Sequence, residues 1–318
     1  MNISLNEAAS QLKNADNILI LTHINPDGDT LGSGFALLRA LRKMGKKARV
    51  INGDTINSKF SFLYSGLADE EFEEEFIVSV DVAQKKLLGD RIKEKYGDRV
   101  NLAIDHHESS VHFAENTCCE PDSASCCEVI YLIIKLLGVE IDSDMASCIY
   151  TGCSTDTGCF KYSNVTPRTH IIASELIALG AEHSKINTKM FDTKTMNSIM
   201  LESMCLQSLE FFSEGKIAVI TVTQQMLQKS GTDKSALDAI KPITRQIEGV
   251  KVGITIKEEA YDATGVSVRT DEDVDAAAIC AHFGGGGHIR AAGCEFKGKG
   301  PEEVKQTVVG YVTGLISG

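Results

Sequence analysis

Three short apolar runs, each stopping at His or Asp, constrain this chain more than any other feature. Residues 17–22 lead into His23, residues 76–80 into Asp81, and residues 100–104 into Asp105, His106 and His107. Short apolar runs bounded by polar residues read as buried strands. Helical patterns over residues 31–44 and 85–95 separate them. Further helices are expected over 124–137 and from Asp144 into the segment that carries Gly152 and Asp156. Strand and helix alternating in this way predict an α/β fold, a mostly parallel sheet with helices on both faces. Such sheets bind ligands beyond the carboxyl ends of their strands. His23, Asp81, Asp105, His106 and His107 therefore share the edge where a site is expected.

At 318 residues the chain exceeds what one core usually supports, so two domains are expected. Residues 1–185 form the first and residues 213–318 a smaller α/β unit. A Met-rich, proline-free stretch over 186–212 reads as one long, largely helical connector. In the second unit, strands are expected over 216–222, 250–256 and 265–269, and helices over 234–247, 275–282 and 301–316.

Composition narrows the function. A net charge of -12 argues against a general, salt-driven grip on long nucleic acid. An anionic substrate remains possible if cations are concentrated at one place. No apolar run reaches the roughly 18 residues that span a bilayer, and the N-terminus has no basic region followed by an apolar core. A cytoplasmic protein is expected. Ten cysteines then read as reduced thiols. The adjacent pairs Cys118-Cys119 and Cys126-Cys127 do not match zinc-site spacing and read as small buried residues near a helix start.

The sequence His23-x3-Asp27-x-Asp29 puts three potential ligands on one loop, with Pro26 and Gly28 allowing a tight path. Asp81, His106 and Asp156 arrive from separate elements. His and carboxylates without thiolates favour manganese or magnesium, with zinc or iron also compatible. Six such ligands are too many for one ion with open positions, whereas two ions sharing Asp81 as a bridge account for them. Paired ions of this kind support in-line attack of water on phosphorus. Taken singly, each Asp reads as a helix N-cap and each His as structural; repetition on one edge favours a site. Gly32-Ser33 reads equally as plain helix initiation and as a phosphate-binding helix start.

The second signal is the run Gly284-Gly285-Gly286-Gly287-His288-Ile289-Arg290. Four glycines let a backbone approach an anion closely, and His288 and Arg290 follow as donors. Arg269, ending the preceding strand, supplies a second candidate cation.

Together, His23-x-Asn25-Pro26-Asp27-x-Asp29, Asp81, Asp105-His106-His107 and Asp156-Thr157-Gly158 resemble the DHH phosphoesterases. Gly284-Gly285-Gly286-Gly287-His288-x2-Ala291-Ala292-Gly293 resembles their C-terminal associated domain. The resemblance spans nearly the whole chain and is greatest to the stand-alone branch that degrades very short RNA and dephosphorylates 3'-phosphoadenosine 5'-phosphate. It implies two manganese ions, one on His23, Asp27 and Asp81 and the other on Asp29, Asp81, His106 and Asp156. His107 would contact the scissile phosphate, and Asp105 would orient His106. Across a cleft, Arg269, Gly286, Gly287 and His288 would hold the rest of a short oligonucleotide such as pApA, with Arg290 at a variable place in the motif. A homodimer is also implied. The alternatives are a cyclic dinucleotide phosphodiesterase, a manganese pyrophosphatase and a nucleotide-binding sensor without turnover.

Overall fold

A computed structural model describes residues 1–232, 237, 240, 243–259, 262–271 and 273–316. The chain divides into two compact units, Met1–Thr193 and Lys194–Gly318.

In the first unit, α1 (Leu5–Asn14) precedes β1 (Ile18–Leu21), α2 (Gly28–Lys43), β2 (Ala48–Ile51) and β3 (Phe76–Val80). Next come α3 (Asp90–Tyr96), β4 (Leu102–Asp105), β5 (Asn116–Cys119), α4 (Cys126–Leu137), α5 (Ser143–Asp156), α6 (Pro167–Ala178) and α7 (His183–Asn187). The five strands run in the order β2-β1-β3-β4-β5, every neighbouring pair parallel. Because strand side chains alternate between faces, Ile18, Ile20, Val78, Val80, Leu102 and Ile104 enter one core with α1, α2, α4 and α5. Leu19, Leu21 and Ile77 enter another, with Leu88, Ile92 and Tyr96. Burial on both faces explains why the inner strands read as unbroken apolar runs.

The expected α/β architecture is therefore present, with local differences. The helix predicted over 85–95 breaks at Gly89, whose φ of 76° no α-helix accommodates, into a 3-10 turn (Lys85–Leu88) and α3. Strands β2 and β5 carry Arg49, Asn116 and Thr117, so neither shows the apolar run that marks β1 and β3. Gly32 and Ser33 do not begin a helix. They lie buried in α2, which starts at Gly28 under the Asp27 cap, and this removes the phosphate-binding reading.

The second unit holds α8 (Met196–Gln207), β6 (Glu210–Phe212), β7 (Ile217–Val222), α9 (Gln224–Ser230), β8 (Val252–Glu259) and β9 (Ala263–Thr270). It continues with α10 (Ala276–His282), β10 (Gly286–His288), β11 (Ala291–Lys297) and α11 (Pro301–Ile316). Its mixed six-stranded sheet has the order β10-β11-β9-β8-β7-β6. Val252, Ile254, Ile256, Val266 and Val268 pack against Ile279 of α10 and Val304, Val308 and Val312 of α11. The stretch expected as one long helix is broken: α7 ends at Asn187, a π-helical turn covers Thr188–Asp192, and Thr195 caps a new helix by accepting from the Ser198 amide. The helix expected over 234–247 falls largely outside the described residues; Ile243–Gln246 within it is a 3-10 turn.

Candidate metal centre

All six candidate ligands converge at the carboxyl edge of the first sheet. His23 follows β1, Asp81 follows β3, His106 follows β4, and Asp27 and Asp29 flank the first residue of α2. Asp156 is the last residue of α5. His23 Nε2 lies 3.7 Å from Asp27 Oδ1 and 3.5 Å from Asp81 Oδ2. His106 Nε2 lies 3.7 Å from Asp29 Oδ2, 3.7 Å from Asp81 Oδ1 and 3.5 Å from Asp156 Oδ2. These separations are too long for hydrogen bonds. They suit two donors on one ion, since bonds of about 2.0–2.2 Å put neighbouring ligand atoms roughly 3–3.7 Å apart. Three overlapping groups result: His23 with Asp27 and Asp81, Asp81 with His106 and His107, and Asp29 with His106 and Asp156. Asp81 turns Oδ2 to His23 and Oδ1 to His106.

The two histidines are held in the tautomer an ion requires. His23 Nδ1 is 2.7 Å from the Ile24 carbonyl and His106 Nδ1 is 3.1 Å from that of Ser123. Carbonyls only accept, so Nδ1 carries a proton and Nε2 is the atom turned to the carboxylates. Against the opposing effect of burial, Asp27 and Asp81 raise His23 to about 11, so an ion there would take the place of a proton on Nε2. Asp27 both caps and approaches His23: its Oδ1 accepts from the Asp29 and Thr30 amides. The capping and ligand readings of this residue are therefore compatible.

Asp29 is held from a direction that its sequence neighbours do not reveal. Its Oδ2 accepts from the Cys126 amide at 2.7 Å and its Oδ1 from the Cys127 amide at 2.9 Å, the opening amides of α4. A helix start offers unpaired N–H groups and the positive end of its dipole, which suits a carboxylate. The adjacent cysteines thus serve through their backbones. All ten cysteines are free, and burial pushes the Cys126 and Cys127 thiols well up. Gly152 completes this seat, because a Cβ there would lie 2.6 Å from Asp29 Oδ1 and closer still to Cys127 Sγ.

The charge balance also fits cations. Burial, with the charge of Asp27, pushes Asp29 up to about 7; burial, with the charge of Asp29, does the same to Asp156. Asp81 is pushed well above the carboxylate range for the same reasons. Carboxylate oxygens within 4.8 Å of each other repel by about 3–4 kcal/mol at an effective dielectric of 20, so the set favours protons or metal ions among its members. Asp81 Oδ1 is buried without a hydrogen-bond partner, and its residue holds a φ of 59°. Such strain costs on the order of 1 kcal/mol and persists where the surroundings fix it.

Asp105 pairs with His107 rather than with the His106 ring. Its Oδ1 accepts from His107 Nδ1 at 2.8 Å and from the His106 amide at 2.8 Å. The hydrogen bond to Asp105 raises His107 to about 9. The helper assigned to His106 is instead the Ser123 carbonyl, a backbone group no motif encodes.

The remaining candidates gather in the second unit. Its glycine run opens a hairpin, β10 pairing with β11 through Gly286↔Gly293, Gly287↔Ala292 and His288↔Ala291. Ala291 also pairs with Arg269 on β9. Residues in direct cross-strand register share a face, so Arg269 and His288 point to the same side. Gly287 has a φ of 146° and no room for a Cβ beside Ala292, whereas a Cβ at Gly286 would meet nothing within 4 Å. Arg290 sits in the turn and donates to the carbonyls of Asp271 and, at 3.1 Å, of Val274, tying the hairpin tip to the segment before α10.

Among known proteins, the bifunctional oligoribonuclease and PAP phosphatase NrnA of Thermus thermophilus is 28% identical over 92% of this chain and 88% of its own length. Its Bacillus subtilis namesake is 27% identical over 87% and 88%. The crystal structure of an exopolyphosphatase-related protein from Bacteroides fragilis superposes with a TM-score of 0.88 at 25% identity, covering 99% of this chain and 97% of the other. Residues 17–153 match the N-terminal domain of the DHH family and residues 214–315 the DHHA1 domain. The chain therefore carries a DHH-family N-terminal domain followed by a DHHA1 domain.

Proposed function

We propose that this chain is a manganese-dependent phosphoesterase that hydrolyses short oligonucleotides such as pApA, 3'-phosphoadenosine 5'-phosphate, or both. The observation that carries the reading is that Asp81 lies between the two candidate ligand histidines, its two oxygens 3.5 and 3.7 Å from His23 and His106, which belong to separate ligand groups. Two divalent ions held there would activate water for in-line attack and offset charge developing on the phosphoryl oxygens.

The protein's own groups supply the rest. Asp105 holds the His107 Nδ1–H and keeps the ring basic, leaving Nε2–H to donate to a phosphoryl oxygen. Backbone donors to Asp29 and backbone acceptors for His23 and His106 keep the ligands aimed before substrate arrives. His288 and Arg269, on one face of the second sheet, suit an anionic nucleotide, and the exposed Gly286 allows close approach there. The names of the NrnA relatives agree with such substrates.

Purified protein given MnCl2 should release AMP from pApA, or phosphate from 3'-phosphoadenosine 5'-phosphate, faster than it cleaves pyrophosphate or cyclic di-AMP. Faster turnover of pyrophosphate would replace this reading with a pyrophosphatase.

A further inference from the structure

We infer that Asn164, between α5 and α6, and Arg168, in the first turn of α6, are positioning residues that set the ion affinity of the Asp29, His106 and Asp156 group. The inference rests on the two-ion reading above and extends it to residues outside the ligand set. Asn164 Nδ2 donates to the carbonyl of Asp156 at 3.2 Å and to that of Ala124 at 3.0 Å, so one amide ties the end of α5 to the loop before α4. Arg168 Nη2 donates to Ser123 Oγ at 2.9 Å and to the Asp122 carbonyl at 3.2 Å on the same loop. The carbonyl of Ser123 is the group that accepts from His106 Nδ1. Arg168 Nε also reaches, at 3.4 Å, the fully buried carboxylate of Glu128 on α4, the helix whose first amides hold Asp29.

The segment from Asn164 to Arg168 thus touches the support of each ligand in that group. The geometry found for His23, Asp27 and Asp81 does not pass through it: His23 is held by Ile24 and Asp27 by the start of α2. Ligand supports of this kind typically change metal affinity by 10–100-fold when removed. The consequence is asymmetric: loss of the clamp weakens one ion and spares the other.

Calorimetric titration of the metal-free full chain with MnCl2 tests this. The wild type should show two binding steps. Asn164→Ala should weaken one of them by about tenfold or more and leave the other, and the melting temperature of the metal-free chain, unchanged. Arg168→Lys, which keeps a positive charge beside Glu128 but loses the forked donors, should show a smaller loss in the same step. If either variant fails to fold by circular dichroism, Ser123→Ala removes only the hydroxyl that accepts from Arg168 and should weaken that step as well. Unchanged steps in the variants, or equal weakening of both with a lowered melting temperature, would overturn the clamp. A wild-type chain that takes up no Mn2+ would overturn the two-ion reading itself.

Discussion

The ligand cluster of the first unit and the glycine hairpin of the second are built in opposite ways. The cluster draws side chains from the ends of three parallel strands and two helices, and Asp29 and Asp81 are almost wholly buried. The hairpin is one local element, exposed at the edge of its sheet. A group of carboxylates repelling one another needs a rigid frame anchored on many sides, and burial strengthens every charge interaction within it. A surface proposed to hold a variable, partly solvated nucleotide needs access instead. This contrast predicts that changes in the cluster lower turnover, while changes in the hairpin weaken binding.

Replacing Asp81 should have the largest effect. Asp81→Ala removes the carboxylate proposed to serve both ions and should cut kcat on pApA by about 10^3-fold or more, several kcal/mol of transition-state stabilisation at 1.36 kcal/mol per tenfold. A variant that keeps wild-type kcat would break the comparison. Next in size is Gly152→Ala. The added methyl meets Asp29 Oδ1 and Cys127 Sγ and should cost about 1–3 kcal/mol of stability, as overpacking usually does; denaturant unfolding of the metal-free chain measures it.

The hairpin should respond differently. His288→Ala should raise KM for a dinucleotide by about tenfold while kcat stays within a factor of a few, about 1.4 kcal/mol of uniform binding. Loss of kcat with KM unchanged would show that the hairpin takes part in the chemistry.

The smallest effect concerns pH. Asp29 and Asp156 sit at about 7, against an ordinary 3.8, in the metal-free chain. Groups raised in this way bind more protons when folded, so their stabilisation is complete below about pH 4 and lost as pH rises through 7. Metal ions compete with those protons. The rise in melting temperature on adding MnCl2 should therefore be larger at pH 8 than at pH 5.5, as differential scanning fluorimetry would show; a larger rise at pH 5.5 would contradict the charge balance described for the cluster.

Much of this was legible in the sequence because the inner strands of a two-faced parallel sheet must be apolar throughout, and the residues ending them must be polar for a reason. His23, Asp81 and His106 stand out on that ground alone. Strands β2 and β5 did not, since their partly polar sequences do not separate from loops. The hairpin reads as a glycine-rich loop in sequence. Only pairing with β11 distinguishes Gly287, required by the backbone, from Gly286, which the fold leaves free.

The sequence by itself determined the candidate ligand types, the placement of His23, Asp81 and His106 at strand ends and the order of the two domains, because these follow from side-chain chemistry and local periodicity. Tertiary structure alone decided what holds those ligands. The Ser123 carbonyl on His106, the Cys126 and Cys127 amides on Asp29, and the pairing of Asp105 with His107 are contacts of backbone groups or of side-chain direction. Every residue except proline carries the same backbone donor and acceptor, so residue type does not mark which of them the fold will bring to the site.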